Sequence, residues 1–145
     1  MIIRKATKND IDDIYRLVKE LAEFEEEGDA VKSKKEDYEK AFDEGLISAH
    51  VAVVDNELIG MALYYMTFST WRGHMLYLED FCVTKEHRSA GVGQKLFDAY
   101  IEEAKNRGCK MVKWEVLDWN EKAIKFYKRN GATIEKQWWD GKIIF

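Results

Sequence analysis

The chain has 145 residues, a formal net charge of −4 at pH 7, 46% hydrophobic residues and 34% charged residues. This length and balance indicate one globular domain over residues 1–145 and exclude a disordered tail. The acidic balance argues against nucleic acid as a partner, because phosphate binding needs basic patches. No apolar run approaches the roughly 20 residues that span a bilayer, and the first residues lack the apolar core of a signal peptide, so we expect a cytoplasmic protein.

The first part of the chain predicts a strand, a helix and an acidic loop. Residues 2–6 have the composition of a short strand. Thr7 is placed to cap a helix in which five apolar residues recur at helical spacing: Ile11, Ile14, Leu17, Val18 and Leu21. Residues 23–29 are strongly acidic and predict a solvated loop, to which a cationic ligand would be attracted.

The next segment predicts a second helix and a β-hairpin. Ser33-Lys34-Lys35-Glu36 matches a capping box, and the helix that it opens should end at Gly45. Strands over residues 49–54 and 58–68 flank Asp55-Asn56-Glu57, which has the composition of a tight hairpin connection.

The remaining segments alternate between strands and helices. A strand over residues 75–83 is apolar enough to lie centrally, and a glycine-containing loop then opens a helix that ends at Gly108. The chain continues with a strand over residues 110–117, a helix over residues 120–130 and a closing hairpin over residues 132–145. This order predicts an α+β fold, a mixed sheet of six to seven strands with helices on both faces. The strand–loop–helix–strand unit should be a right-handed parallel crossover.

The cysteines and histidines give no support to a disulfide framework or a metal site. Neither Cys82 nor Cys109 lies in a C-x-x-C pair, and the three histidines are scattered along the chain. We therefore expect buried free thiols and no bound metal.

Two glycines stand between a predicted strand and a predicted helix, in the string Arg88-Ser89-Ala90-Gly91-Val92-Gly93. Glycines allow a ligand to approach the backbone closely, and the amides at a helix N-terminus favour anions, so a phosphate is the expected ligand. A dinucleotide-binding loop would have its third glycine where Leu96 stands. The P-loop pattern is absent as well, so neither of these nucleotide-binding folds fits.

Two adjacent carboxylates, Glu79 and Asp80, stand in the predicted central strand. Burying a carboxylate without a partner is costly, which favours a functional reason for them; the alternative is that one pairs with a lysine. Neighbouring residues of an ideal strand point to opposite faces. Both can therefore serve one site only if a bulge or splay disturbs the strand at this point.

The last predicted helix begins at Asn120 and carries Tyr127. Seven residues separate the two, which places them on one face of the helix about two turns apart. Tyr127 is then a candidate functional residue, although an aromatic core residue is the commoner role for a tyrosine on a helix.

Taken together and in this order, these motifs resemble the GNAT superfamily of acetyl-CoA-dependent N-acetyltransferases, whose acyl-CoA motif is [R/Q]-x-x-G-x-[G/A]. The similarity is greatest to the spermidine/spermine (diamine) acetyltransferases, which carry strings very like "LYLEDFCV" (76–83), "WNE" (119–121) and "FYKR" (126–129). It extends from Arg4-Lys5-Ala6-Thr7 to Gly131-Ala132, nearly the whole chain. The resemblance implies the GNAT acyl-CoA N-acyltransferase fold, acetyl-CoA as co-substrate without a metal, and a homodimer.

The resemblance also assigns the residues that bind acetyl-CoA. It places the pyrophosphate on the loop and helix start formed by Arg88, Ser89, Ala90, Gly91, Val92, Gly93 and Gln94. The pantetheine arm would pair like an extra strand with Phe81, Cys82 and Val83. Asn120 would hydrogen-bond the arm from the other side.

For the acceptor and the chemistry, the resemblance implies that Glu79 is a base acting through water and that Tyr127 protonates the leaving CoA thiolate. Asp80 would hold a cationic group of the substrate, with Phe24, Glu25 and Trp71 also at the acceptor. The expected acceptor is a polyamine, a diamine or a lysine-like amine. A protein or peptide acceptor and a non-catalytic acyl-CoA-binding module remain as alternatives. The family has a C-terminal arm used in dimer exchange, which cannot be carried over to this sequence, so we expect no site residues from such an arm.

Overall fold

The computed structural model describes all 145 residues, which divide into two units, residues 1–115 and residues 116–145. The first unit contains five strands and three α-helices in the order β1 (Ile2–Lys5), α1 (Ile11–Phe24), α2 (Lys35–Asp43), β2 (Ser48–Val54), β3 (Glu57–Ser69), β4 (Gly73–Val83), α3 (Val92–Asn106) and β5 (Met111–Trp114). Short 3-10 turns cover Lys8–Asp10, Gly28–Ala30 and Lys85–His87. The second unit contains α4 (Glu121–Arg129).

The five strands form one mixed sheet in the order β1-β2-β3-β4-β5. Neighbouring strands are antiparallel except β4 and β5, which are parallel and are joined through α3. The predicted mixed sheet and the parallel strand–loop–helix–strand unit are therefore confirmed. Asp55 and Asn56 join β2 to β3 with φ of 50° and 64°, the left-handed values that a two-residue hairpin turn requires.

Helices cover both faces of the sheet, as the sequence predicts. On one face, Ile14 and Leu17 of α1 pack with Val51, Met61 and Leu63. On the other face, Val92 and Leu96 of α3 form a buried cluster with Ala52 and Ile59. Because successive residues of a strand point to opposite faces, β2 and β3 each contribute side chains to both clusters.

The starts predicted for the first two helices are displaced in the structure. Thr7 caps the 3-10 turn that precedes α1, and its amide donates to the Asp10 carboxylate at 2.7 Å. The second helix begins at Lys35, and the amide of its N-cap Lys34 donates to Asp37 at 2.7 Å. The capping box predicted from Ser33 to Glu36 is thus wrong by one residue, because Asp37 competes for the same role with a shorter side chain.

The predicted closing hairpin does not form, so the sheet has five strands and not six or seven. Residues 132–145 contain no strand, and their large apolar side chains are exposed: Trp138, Trp139, Ile143, Ile144 and Phe145. A two-stranded hairpin is marginal in water unless its apolar face packs on another element. The strand predicted over residues 110–117 is likewise shorter, ending at Trp114.

Gly60 lies where β3, β4 and α3 meet, and its substitution should weaken the fold. A Cβ at Gly60 would lie 3.0 Å from the Cys82 carbonyl oxygen and 3.0 Å from Leu96 Cδ1. We expect Gly60→Ala to lower the free energy of unfolding by about 1–3 kcal/mol through overpacking, measured by urea denaturation. Gly93→Ala is the control, since its Cβ would meet Phe81 no closer than 3.7 Å. Equal stability of the two variants would contradict this account of the packing.

Candidate active site

A β-bulge brings the two adjacent carboxylates to the same face of the sheet. Along the β3–β4 ladder, Leu63 pairs with Asp80 and Tyr64 pairs with Leu78, which leaves Glu79 as the extra residue of β4. Asp80 therefore shares the face of Leu63, which packs under α1. The Glu79 carboxylate reaches that face too, because it accepts a 2.9 Å hydrogen bond from the Tyr65 hydroxyl. The disturbance that the sequence requires for a shared site is present.

Asp80 is a half-buried carboxylate surrounded by negative charge. It takes part in none of the ion pairs of the structure. Burial raises its pKa to about 7, and the charges of Glu79 and Glu25 add to the effect. Burial also raises the pKa of Glu25, which caps the C-terminal end of α1. The alternative in which a lysine neutralises one of the adjacent carboxylates is therefore excluded for Asp80.

An aromatic wall lines the same face beside the carboxylates. The rings of Tyr65 and Tyr77 stack across β3 and β4 with centroids 5.4 Å apart. The Tyr77 hydroxyl donates to Glu115 at 2.8 Å, as the Tyr65 hydroxyl does to Glu79. Burial and the neighbouring Glu79 raise the pKa of Tyr65 to about 12, so these hydroxyls act as hydrogen-bond donors at neutral pH.

The sequence did not single out Tyr38, Tyr65, Tyr77 or Glu115. Period-two alternation along β3 and β4 could have placed the two strand tyrosines on one face. Their alignment with Glu79, however, depends on the bulge, which changes the register beyond Asp80. Tyr38 of α2 also lies within electrostatic range of Asp80. Burial raises the pKa of the Tyr38 hydroxyl, and the charge of Asp80 adds to this effect.

The three side chains predicted at the acceptor lie in different places. Glu25 lies close enough to Asp80 for its charge to act there. Phe24 is exposed at the end of α1, and the Arg88 guanidinium lies 5.3 Å from its ring centroid. Trp71 is 84% exposed in the turn between β3 and β4, at the opposite end of β4 from Asp80. The structure does not bring Trp71 to the carboxylates, and its role at the acceptor stays a prediction.

The loop before α3 has the geometry of an anion site. Ser89 and Gly91 both have positive φ, 73° and 77°, an arrangement that turns successive amides toward one side. The amides of the first helical turn, from Val92 onward, have no intrahelical acceptor and point out of the helix end. Arg88 is turned toward the protein, since its Nε donates to the Val83 carbonyl at 2.9 Å. The contact of Arg88 with a phosphate stays a prediction.

Beyond the bulge, β4 and β5 no longer pair. Their ladder ends at Leu78 and Trp114, while β4 continues to Val83. The Phe81 and Val83 side chains pack on the α3 side, and Cys82 packs on the α1 side. Burial raises the pKa of the Cys82 thiol to about 12, which makes it unreactive. Any ligand lying along this stretch would therefore contact its backbone.

A small depression lies between α1 and the end of β4, beside the loop before α3. Its walls are formed by Leu17, Glu20, Leu21, Cys82, Val83, Thr84 and Arg88. It thus adjoins the end of β4 beyond the bulge and, through Arg88, the loop before α3.

The second unit contains the remaining candidates, Asn120 and Tyr127. Asn120 is the N-cap of α4, and its side chain accepts a 3.3 Å hydrogen bond from the Ala123 amide. The predicted helix start is thus confirmed. Tyr127 is buried, and its ring meets that of Phe126 edge-on with centroids 5.6 Å apart. The spacing of the two residues on α4 is that of one helix face.

Comparison with known proteins identifies the family of this chain. The model of the acetyltransferase (GNAT) family matches residues 11–132. The chain belongs to the GNAT acetyltransferase family. The resemblance drawn from the motifs is thereby confirmed, and this GNAT protein is an acetyl-CoA-dependent N-acetyltransferase.

Curated relatives and solved structures agree with this membership. The GNAT protein is 36% identical over 142 residues to a thialysine N-epsilon-acetyltransferase from Bos taurus, covering 91% of this chain and 84% of the relative. It is 32% identical to a human spermidine/spermine N(1)-acetyltransferase-like protein 1, over 94% of this chain and 21% of that longer protein. An aminoglycoside acetyltransferase from an uncultured soil metagenomic sample has the same fold, with a TM-score of 0.83, 19% identity, and coverage of 99% of this chain and 95% of that one.

Two further findings concern membranes and metals. None of the helices in this GNAT protein combines the length and apolarity needed to cross a bilayer. No group of three or more His, Cys, Asp or Glu side chains is arranged to hold a metal ion.

Proposed function

We propose that this acetyltransferase transfers the acetyl group of acetyl-CoA to a primary amine of a small cationic acceptor, namely a polyamine, a diamine or a lysine-like amine such as thialysine. The observation that supports this proposal is the acidic face formed by Glu25, Glu79 and Asp80. None of these three carboxylates pairs with a basic side chain. The names of the relatives point to the same class of acceptor, since they include thialysine and spermidine/spermine acetyltransferases.

A cationic acceptor would supply the charge that this face lacks. Glu25 and Glu79 lie within electrostatic range of Asp80, and the pKa of Asp80 is raised by burial and by these two carboxylates. Opposite charges attract most strongly where water is partly excluded, and a cleft lined by one sign of charge concentrates counter-ions from solution. The stacked rings of Tyr65 and Tyr77 add electron-rich faces, which favour ammonium groups.

The reaction needs a proton acceptor and a proton donor. A primary ammonium group with a pKa near 10.4 cannot attack until it has lost a proton. The free amine then forms the new C–N bond as the C–S bond of the thioester breaks, and the departing sulfur takes a proton. The family resemblance gives the first task to Glu79 through a water molecule, gives Asp80 the cationic group of the acceptor, and gives Tyr127 the last task.

Acetyl-CoA is proposed to lie on the loop before α3 and along the end of β4. The positive φ values of Ser89 and Gly91 and the position of this loop at the N-terminus of α3 support a pyrophosphate there. The divergence of β4 from β5 after Leu78 supports a pantetheine arm that pairs with the backbone of residues 81–83. The contact of Asn120 with that arm belongs to the same proposal.

The proposal is tested by following release of the CoA thiol with a panel of acceptors. The panel comprises thialysine, lysine, putrescine, spermidine, spermine and a lysine-containing peptide. We expect turnover with the small cationic amines and little with the peptide. Turnover confined to the peptide would support the peptide acetyltransferase, and no turnover despite acetyl-CoA binding would support the non-catalytic module. The homodimer and the cytoplasmic location stay predictions alongside this one.

Glu25 offers a direct check of the acidic face. We expect Glu25→Gln to raise KM for spermidine several-fold, because one of the charges facing Asp80 is removed. The rise should be largest at low ionic strength, where screening is weakest. Glu23→Gln is the matched control, since it removes the same charge from an exposed position of α1. An equal rise in both variants would show that Glu25 contributes only to net charge.

A further inference from the structure

The bulged strand gives its two carboxylates different surroundings, and the difference bears on which of them receives the substrate's proton. This question rests on the proposed function, since it matters only if an amine is the acceptor. We propose that Asp80 is the carboxylate that takes the proton from the acceptor ammonium group, and that Glu79 orients that group beside it. The roles that the family resemblance implies are thus exchanged.

Glu79 is exposed and already holds a hydrogen bond. One of its oxygens, Oε2, accepts from the Tyr65 hydroxyl at 2.9 Å, and the Tyr65 ring is itself fixed by stacking on Tyr77. A solvated carboxylate in a fixed orientation is suited to drawing in an ammonium group and holding its direction. This arrangement makes Glu79 a positioning residue with its geometry set by the tyrosine pair.

Asp80 has the opposite surroundings. It is half-buried beneath the end of α1, it forms no ion pair, and it lies between the negative charges of Glu25 and Glu79. A proton on Asp80 removes an uncompensated buried charge and relieves two like-charge repulsions. Both consequences favour proton transfer to this group over transfer to a solvated carboxylate.

All the ionisable groups that face Asp80 act in the same direction or are neutral at pH 7. Glu25 faces it from α1 and Tyr38 from α2, Tyr65 faces it from β3, and Glu79 and Cys82 are its neighbours on β4. Burial, followed by the charges of Glu79 and Glu25, raises the pKa of Asp80 to about 7. A base of that strength makes transfer from an ammonium group roughly a thousandfold less unfavourable than an ordinary aspartate would, and it is still ionised in a large fraction of molecules near neutral pH.

The proton balance closes with one proton released. Asp80 takes the first proton from R–NH₃⁺, and R–NH₂ forms the amide bond as the thioester C–S bond breaks. The second proton leaves the nitrogen as the sulfur gains one, so that the products are the acetylated amine and the CoA thiol. Asp80 then loses its proton to solvent, which restores the ionised form for the next turnover.

The test compares pH profiles of kcat/KM for the wild-type protein, Asp80→Asn and Glu79→Gln, with thialysine as acceptor and acetyl-CoA as donor. We expect the wild-type profile to rise through a pKa near 7, since the ionised form of Asp80 is the active one. Asp80→Asn should lower kcat/KM about 100-fold or more at pH 7 and remove the rise near 7. Only the rise toward the pKa of the free amine should remain.

Glu79→Gln should change KM and the pH profile in a way that a purely structural role of Glu79 would not produce. It should raise KM while retaining the rise, and the midpoint should move to lower pH, because removing the Glu79 charge makes Asp80 easier to ionise. Glu25→Gln should move the midpoint in the same direction. A rise that survives in Asp80→Asn but disappears in Glu79→Gln would overturn the proposal and make Glu79 the base.

Folding and the proposed function are checked separately. Because the pKa of Asp80 is raised in the folded protein, ionising this group destabilises the fold. The wild type should therefore lose stability relative to Asp80→Asn as the pH rises from about 4, the pKa of an aspartate in the unfolded chain, through 7. Urea denaturation at pH 5 and pH 8 measures this difference, and no difference would overturn the assigned surroundings of Asp80. Failure of the wild type to release thiol with any amine of the panel would instead overturn the proposed function.

Discussion

Gly91→Glu is expected to abolish measurable acetyl-CoA binding. Gly91 is the N-cap of α3 with φ of 77°, and nothing lies within 4 Å of the position that a Cβ would occupy. A glutamate side chain would therefore extend into the open space above the loop, where the pyrophosphate is proposed to lie. At an effective dielectric constant near 20, two unit charges about 4 Å apart repel by about 4 kcal/mol, which corresponds to a loss of affinity near a thousandfold.

The measurement is isothermal titration calorimetry with acetyl-CoA, and two controls separate the causes. Gly91→Gln keeps the size and removes the charge, so the difference between the two variants reports electrostatic repulsion. Gly108→Glu carries the same substitution at the other end of α3, with nearly the same φ of 76° and equally open space. It should show the same backbone strain with unchanged affinity. Normal affinity in Gly91→Glu would remove the pyrophosphate from this loop.

Much of the fold could be predicted because the relevant signals are local. The apolar spacing of α1, the Asp55-Asn56 turn and the glycine-containing loop before α3 each specify an element through nearby residues. The chain order then restricts the topology, since a strand followed by a helix and a second strand favours a parallel crossover. The resulting pair of β4 and β5 is the only parallel pair in the sheet.

The errors arise where the outcome depends on partners distant in sequence or on small differences between neighbours. Ser33 and Lys34 are both adjacent to the helix start, and the carboxylate of Asp37 decides between them. The "ATIEKQWW" segment has strand-like composition, but strand formation depends on an edge to pair with and a face to cover. Composition reports neither of these.

In the candidate site, too, some features are visible in the sequence and others depend on the folded chain. The identities of Glu79 and Asp80 are visible in the sequence, and so is the need for a bulge if they are to act together. The register shift that turns Glu79 toward Tyr65 is a property of the β3–β4 ladder, and a shift of one residue reverses which side chains share a face. The negative surroundings of Asp80, which include Glu25 from a separate element, follow only from the folded chain.

Tyr127→Phe is expected to lower kcat about 100-fold or more with little change in the Kd for acetyl-CoA. The substitution removes only the hydroxyl, which is proposed to protonate the sulfur as the thioester C–S bond breaks. A phenol with a pKa near 10 can donate to a thiolate whose thiol has a pKa near 8.5 when the two are held together, and such general-acid donation contributes about 10²–10⁴-fold. The loss should appear in kcat, because the interaction develops only as the bond breaks.

Tyr100→Phe provides the matched control, because it also removes a buried tyrosine hydroxyl. Tyr100 donates to the Leu76 carbonyl at 2.6 Å on the α3 side of the sheet, so its loss should lower stability while kcat of the folded protein stays unchanged. Single-turnover thiol release, measured at saturating acetyl-CoA and acceptor, separates the chemical step from binding and product release. If Tyr127→Phe and Tyr100→Phe retain the same single-turnover rate as the wild type, the sulfur takes its proton from solvent, and Tyr127 is a core aromatic of α4.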